Sequence, residues 1–428
     1  MRGLFGALLA TLVAVSASAG PSAHWIQLGP GGAAEVRAVV AAGSKCPTLD
    51  VDGARRSMSV RAAASDDFPL TCAFSLPRGV SRISLEGESL RAVADAPRRI
   101  VVLGDTGCRI KPPALQDCND ATAWPFPEIA QAAASLHPDL VVHVGDYLYR
   151  ESACPTGNKG CAGSPWGDNW NTWAADFFTP AAPLLSASPW VIVRGNHEVC
   201  ARSGEGFLRL LGPLSFDPGA ACADHLAPYA IKAGLLNLVV FDDSAAPDTS
   251  LAQSLIPALQ ADFASLATIA PKPQWLLTHR PIWGLIKGPL GVPVGGNLTM
   301  ITAAGDLGTL ASVELLLSGH IHTFEAINYA AHVPPQILAG HGGDNLDPTP
   351  TDLRGAVFQG RSGVSVKDGV SVGGFGFLLL SKVDGGWNID LYKADGSVEG
   401  RCLFAAGRVD CGGLGKPSPP NATPVSPH

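Results

Sequence analysis

The chain has 428 residues, enough for one large domain or two, and 46% of them are apolar while only 16% are charged. That balance excludes intrinsic disorder and supplies a sizeable core. A formal net charge of −7 leaves no basic surplus to neutralise a polynucleotide backbone, which excludes a general nucleic-acid binder but not a small phosphorylated substrate.

Residues 1–19, MRGLFGALLATLVAVSASA, carry Arg2, a short apolar run and Ala17-Ser18-Ala19. They read as a secretory signal cleaved after Ala19, too short to span a bilayer comfortably. No later stretch is apolar for long enough to span one, so the mature protein is expected to be soluble and, by its signal, secreted or periplasmic. Residues 20–97 read as a small β-rich domain, with β-type runs over 33–41, 57–62 and 82–90 between Gly, Pro and Asp breaks. From Arg98 the character changes. Apolar strands are expected at 100–103, 140–144, 190–193, 235–241, 275–278, 313–317, 337–339 and 376–381, with helices at 128–136 and 251–266. Such alternation predicts layered α/β packing over residues 98–411. Residues 412–428 read as a Pro-rich disordered tail.

The ten cysteines fall into neighbouring pairs: Cys46/Cys72, Cys108/Cys118, Cys154/Cys161, Cys200/Cys222 and Cys402/Cys411. In an exported chain they suggest five disulfides. The rival, a thiolate metal site, finds no Cys-x-x-Cys pair to support it.

Chemistry concentrates just past the strand ends. Gly104-Asp105-Thr106-Gly107 follows the 100–103 strand, and Gly145-Asp146-Tyr147-Leu148-Tyr149 follows the next. Gly195-Asn196-His197-Glu198 comes third, His279 closes a fourth apolar run, and Gly319-His320-Ile321-His322 closes a fifth. Ligands of open α/β sheets gather where strands end, so these loops are expected to converge. Their carboxylates, amide, phenol and imidazoles are donors that hard and borderline metals prefer. One ion does not need so many. Two ions sharing a bridging carboxylate do, and such a pair clamps both oxygens of a displacement at phosphorus. His143, inside an apolar run, reads as a packed or supporting histidine.

Together these motifs resemble the metallophosphoesterase superfamily, and within it the purple acid phosphatases. Their pattern is G-D-x-G, G-D-x-x-Y, G-N-H-[DE], a later His, then G-H-x-H, and each element stands here in that order over residues 98–345. The wider superfamily usually has a His where Gly107 stands, whereas Tyr149 is the subfamily's mark. The resemblance implies a two-sheet β-sandwich flanked by helices, following the small N-terminal β-rich domain. It implies Asp105, Tyr149 and His322 on Fe(III), Asp146 as bridge, and Asn196, His279 and His320 on a divalent Zn, Fe or Mn. His197 would face the phosphate and assist the leaving group.

Plant members carry further histidines shortly past the counterpart of His279, and residues 280–288 have none. Arg202, Arg280 and His341 are therefore the other candidates for substrate contact. The expected activity is hydrolysis of phosphomonoesters by a metal-bound hydroxide. Phosphodiester hydrolysis at the same site is the alternative, and a non-catalytic metal- or phosphate-binding protein is disfavoured by the intact donor set. The expected partner is a small phosphorylated substrate, with no nucleic acid and no membrane after signal cleavage.

Overall fold

The computed structural model describes residues 20–330, 332–359 and 363–414; the signal-like residues 1–19 and residues 415–428 of the tail lie outside them. Strands β1 (Ala23–Leu28), β2 (Ala34–Val40) and β3 (Leu70–Leu76) come first. Then follow β4 (Arg99–Leu103), helix α1 (Phe126–Ser135), β5 (Leu140–His143) and β6 (Trp190–Ile192). The middle of the chain holds β7 (Leu236–Val240), α2 (Ile256–Ile269), β8 (Gln274–Leu277), β9 (Leu285–Lys287) and β10 (Pro293–Gly295). After them come β11 (Val313–Ser318), β12 (Phe324–Tyr329), β13 (Gln336–Ala339) and β14 (Val357–Phe358). The long strands β15 (Gly376–Val383), β16 (Gly386–Lys393) and β17 (Val398–Ala405) close the fold.

One eleven-stranded sheet runs through β17-β16-β15-β4-β5-β6-β1-β2-β3. A second, seven-stranded sheet contains β7-β8-β11-β13-β12 in that order. Side chains alternate across a strand with period 2, and here both faces are covered. Ile100, Val102, Val142 and Val191 pack against Leu238, Val240, Trp275, Leu277 and Leu317 between the sheets. The intervening Val101, Leu103 and Val141 meet Phe126, Ile129 and Ala133 of α1. On the far side, Val239, Leu276 and Leu316 meet Leu259, Phe263 and Leu266 of α2. Burial on both faces is why these strands read as unbroken apolar runs. The result is the two-sheet sandwich flanked by helices.

The segment before Arg98 continues the large sheet. β1 pairs in parallel with β6, Gln27 opposite Trp190, and antiparallel with β2. A small four-stranded sheet packs Leu49, Val51, Ile83 and Leu85 against Ile26, Val36 and Ala38. The 82–90 run is a hairpin, Ile83–Leu85 and Glu88–Leu90, because Glu86 and Gly87 both take positive φ (52° and 90°). α2 begins at Ile256 rather than at residue 251; Pro257, with no N–H to satisfy, favours a helix start. The helix Thr179–Ala187 was not expected, since Pro180 and Pro183 obscure its pattern. All five cysteine pairs are disulfides. Among the described residues no helix is long and apolar enough to cross a membrane.

Candidate metal centre

In-register parallel pairing brings the ends of β4, β5 and β6 side by side, Leu103 opposite His143 and His143 opposite Ile192. The loops beyond are tied by Asp105 N–H donating to Gly145 O (2.9 Å) and Thr106 N–H to Asp146 O (3.1 Å). From the second sheet, Gly319 N–H donates to His279 O at 3.0 Å. The sheets are joined at this end where His320 N–H donates to Asp105 Oδ2 at 2.9 Å. Asp105, Asp146 and His320 all sit in the left-handed region, with φ of 57°, 60° and 70°. Such strain in non-glycine residues persists where surrounding bonds over-determine it, and it clusters at functional sites.

The Tyr149 hydroxyl lies 3.0 Å from Asp105 Oδ1, 2.8 Å from Asp146 Oδ2 and 3.1 Å from His322 Nε2. A second group shares Asp146. His279 Nε2 is 3.2 Å from Asp146 Oδ2 and 3.0 Å from Asn196 Oδ1. Donor atoms of Asp146, His279 and His320 all lie within 4.8 Å of one another. The seven donors expected from the sequence therefore meet as two sets with one carboxylate in common. His279 Nδ1 is 2.8 Å from the Val144 carbonyl and His322 Nδ1 is 2.6 Å from that of Asn345. A carbonyl can only accept, so Nδ1 carries the proton in each ring and Nε2 is left for the site.

Two glycines make the arrangement possible. A Cβ at Gly107 would lie 2.8 Å from Tyr149 Cδ2, and one at Gly195 would lie 2.0 Å from Asp146 Oδ1. Gly107 thus clears the space that the phenol ring occupies.

The donor chemistry fits cations. Asp105, Asp146 and Asp344 are all buried, and buried carboxylates need compensating positive charge. Burial opposes an imidazolium, yet Asp146 pulls His279 up to about 10, and Asp344 with Asp105 pulls His322 up to about 10. Burial, with the carboxylates of Asp105 and Asp146, holds the Tyr149 phenol well above its ordinary value. Oxygen and imidazole donors carrying this excess of negative charge suit hard and borderline metal ions.

His197 stands beside both sets rather than in them. Its N–H donates to Asp146 Oδ1 at 2.8 Å and its ring centroid is 3.8 Å from that of Tyr149. Nδ1 is 2.7 Å from Glu151 Oε1, and Nε2 is 3.8 Å from Asp146 Oδ2. Burial lowers this imidazole to about 4, with Asp146 and Glu151 opposing. A cleft of about 500 Å³ opens here, lined by His197, Arg202 and Arg280. Arg202 pairs with Glu151, and Arg280 with Asp248. His341 is a correction to the sequence expectation. It does not line the cleft; its ring is buried beside Phe324 with neither nitrogen hydrogen-bonded, and its carbonyl accepts from Gly376 N–H at 2.9 Å.

Several supporting residues escaped the sequence reading. Glu198 accepts from the N–H groups of Gly195 (3.0 Å), Asp146 (3.2 Å), Tyr147 (2.9 Å) and Leu148 (3.2 Å), so one carboxylate holds two of these loops. Asp243 accepts from His279 and Arg280 N–H, both at 3.1 Å. Asp176 does the same for Cys108 (2.8 Å) and Tyr149 (2.7 Å). Arg109, paired with Asp344, lies 4.7 Å over the Tyr149 ring. His143, already read from the sequence as packed or supporting, meets Thr106 Oγ1 through Nε2 at 3.0 Å. Glu198 and Asp243 stand just past apolar runs, a position that marks them as candidates. Asp176 and Asp344 carry no such signal.

A helix-flanked two-sheet sandwich with this donor set at its strand ends defines a metal-dependent phosphoester hydrolase. The family model for calcineurin-like phosphoesterases matches residues 98–324, and the chain belongs to that family. Among solved structures the chain is similar to purple acid phosphatase PPD1 from yellow lupin (Lupinus luteus) seeds, at 13% identity over 91% of this chain and 75% of that one, with a TM-score of 0.57. It is also similar to PhoD, at 11% identity over 92% of each chain and a TM-score of 0.52. At these identities the likeness is one of fold. No curated protein sequence matches the chain.

Proposed function

We propose that this chain is an exported phosphomonoesterase of the purple acid phosphatase type, working at a centre of two metal ions. Asp105, Tyr149 and His322 would hold Fe(III), Asn196, His279 and His320 would hold a divalent Zn, Fe or Mn, and Asp146 would bridge them. The observation that carries this reading is the Tyr149 hydroxyl, within 3.1 Å of Asp105, Asp146 and His322 donors. Two cations bound there would supply Lewis acidity to the phosphoryl group and acidify a water molecule.

The remaining work belongs to side chains. His197, oriented through Nδ1 by Glu151, directs Nε2 to the leaving oxygen and donates a proton to it as the imidazolium, a form that burial confines to acid pH. Arg202 and Arg280 line the cleft and receive the phosphate oxygens. Glu198 keeps the Asp146 and Asn196 loops in place, so the donors do not reorganise during turnover. Export is supported by the five disulfides and by the signal-like residues 1–19.

The test is metal analysis with a visible spectrum, then a panel of phosphomonoesters and phosphodiesters on the same preparation. Iron with a second metal, and faster turnover of monoesters, is the expected result. Faster turnover of diesters would move the chain to the alternative activity, and no turnover of either by a fully loaded protein would end the enzymatic reading.

A further inference from the structure

The mouth of the cleft carries apolar surface that folding does not use. β9 and β10 form a hairpin, and β14 adds to β10 in parallel as a third strand. Register places Ile286 opposite Val294 and Val294 opposite Val357. Directly opposed residues project to the same face, so three β-branched side chains stand in one row. Ile286 is 41% exposed and Val357 58%. At the hairpin turn Leu290 is fully exposed, with a φ of 57°. Scattered apolar side chains are ordinary on a surface, but a contiguous row beside a polar cleft marks a binding face.

The row is continuous with the site. Of the row, Ile286 lines the cleft, together with Pro281, Gly284, Gly295 and Ile321. The cleft lining is also charged, with Arg109, Lys111 and Arg202. Those cations already have partners in Asp344 and Glu151. The cleft therefore offers a ligand charged side chains, which suit a phosphoryl group, and an apolar side chain, Ile286, that is open to solvent.

We propose that the Ile286–Val294–Val357 row binds the organic half of the substrate, and that the substrate class is a phosphoester of an apolar or aromatic alcohol. The inference rests on the phosphoesterase reading and deepens it. A phosphoryl group facing Arg202, Arg280 and His197 must point its alcohol away from the buried donors, towards the mouth where this row begins. An apolar ring laid there removes apolar area from water on both surfaces. A sugar or glycerol ester gains nothing from it.

The experiment compares wild type with the Ile286→Ser/Val357→Thr double variant on naphthyl phosphate and glycerol phosphate. In parallel, calorimetry measures binding of the non-hydrolysable naphthyl phosphonate and methyl phosphonate. The ratio of kcat/KM for the naphthyl over the glycerol ester is expected to fall about tenfold in the variant, through KM, the usual worth of a few methylenes in an apolar pocket. The phosphonate affinity ratio should fall in step, and Ile286→Val, which keeps an apolar side chain, should retain most of the preference. Because binding is read separately, lost preference in binding without turnover of either ester would uphold the subsite and refute the phosphoesterase reading. Unchanged ratios in a folded variant would overturn the subsite. So would unchanged ratios with loss of sedimentation on phosphatidylglycerol vesicles, which would make the row a lipid-docking face.

Discussion

The Tyr149 hydroxyl sits among two carboxylates and an imidazole, and burial with Asp105 and Asp146 opposes its ionisation. A phenolate in that place needs a strongly Lewis-acidic cation beside it. Ferric iron loaded there is expected to give a visible charge-transfer band, and Tyr149→Phe to bleach it while Asp105, Asp146 and His322 still hold the ion. A colourless wild-type protein carrying ferric iron would remove Tyr149 from the donor set. His197→Ala is expected to keep its metals and slow turnover by about 10²–10⁴-fold, the range for a positioned acid–base group; loss of metal instead would make His197 a donor. These residues were legible because each stands at a fixed offset from a strand end. Glu151 was not, since its contact with His197 joins residues from different loops and no spacing announces it. His341 was misread because it follows a strand, β13, as His320 follows β11. Strand position does not say which way a ring packs.

At the scale of elements, uninterrupted apolar runs revealed eight strands of the two sheets, most of them buried on both faces. β16 and β17 were missed because polar residues interrupt GWNIDLYK and VEGRCLFA. β12 illustrates a consequence that the pattern could not show. Its Glu325 is buried, and Oε2 accepts the Leu285 N–H at 3.1 Å, which fixes the root of the β9–β10 hairpin. Burial pushes this carboxyl from 4.5 up to about 8. Between those values the folded chain keeps a proton that the unfolded chain releases. Stability from this group is therefore complete below pH 4.5 and is lost as pH rises towards about 8. Glu325→Gln keeps the acceptor without the titration, so its urea midpoint should change less between pH 5 and pH 8 than that of wild type. An equal change in both proteins would show that Glu325 does not set this dependence.

For the whole molecule, composition and alternation were enough to expect layered α/β packing. They could not show that β1 would enter the large sheet beside β6, because strand pairing is non-local. Trp25 packs 5.0 Å from Phe178, and Arg37 donates to the carbonyls of Leu210 (2.9 Å) and Gly212 (3.0 Å). A chain beginning at Arg98 would bare the β6 edge and these partners, an invitation to aggregation. It is expected in the void volume of a sizing column, and a monomeric, metal-loaded fragment would show the first 97 residues to be dispensable. The central claim, one centre of two ions bridged by Asp146, is tested most directly by counting metals per chain in wild type and Asp146→Ala on the same day as phosphomonoester turnover. The expected result is two ions in wild type, and loss of both ions and of turnover in the variant, because a bridge lost to one ion is lost to both. A variant that keeps two ions and near-native turnover would contradict it.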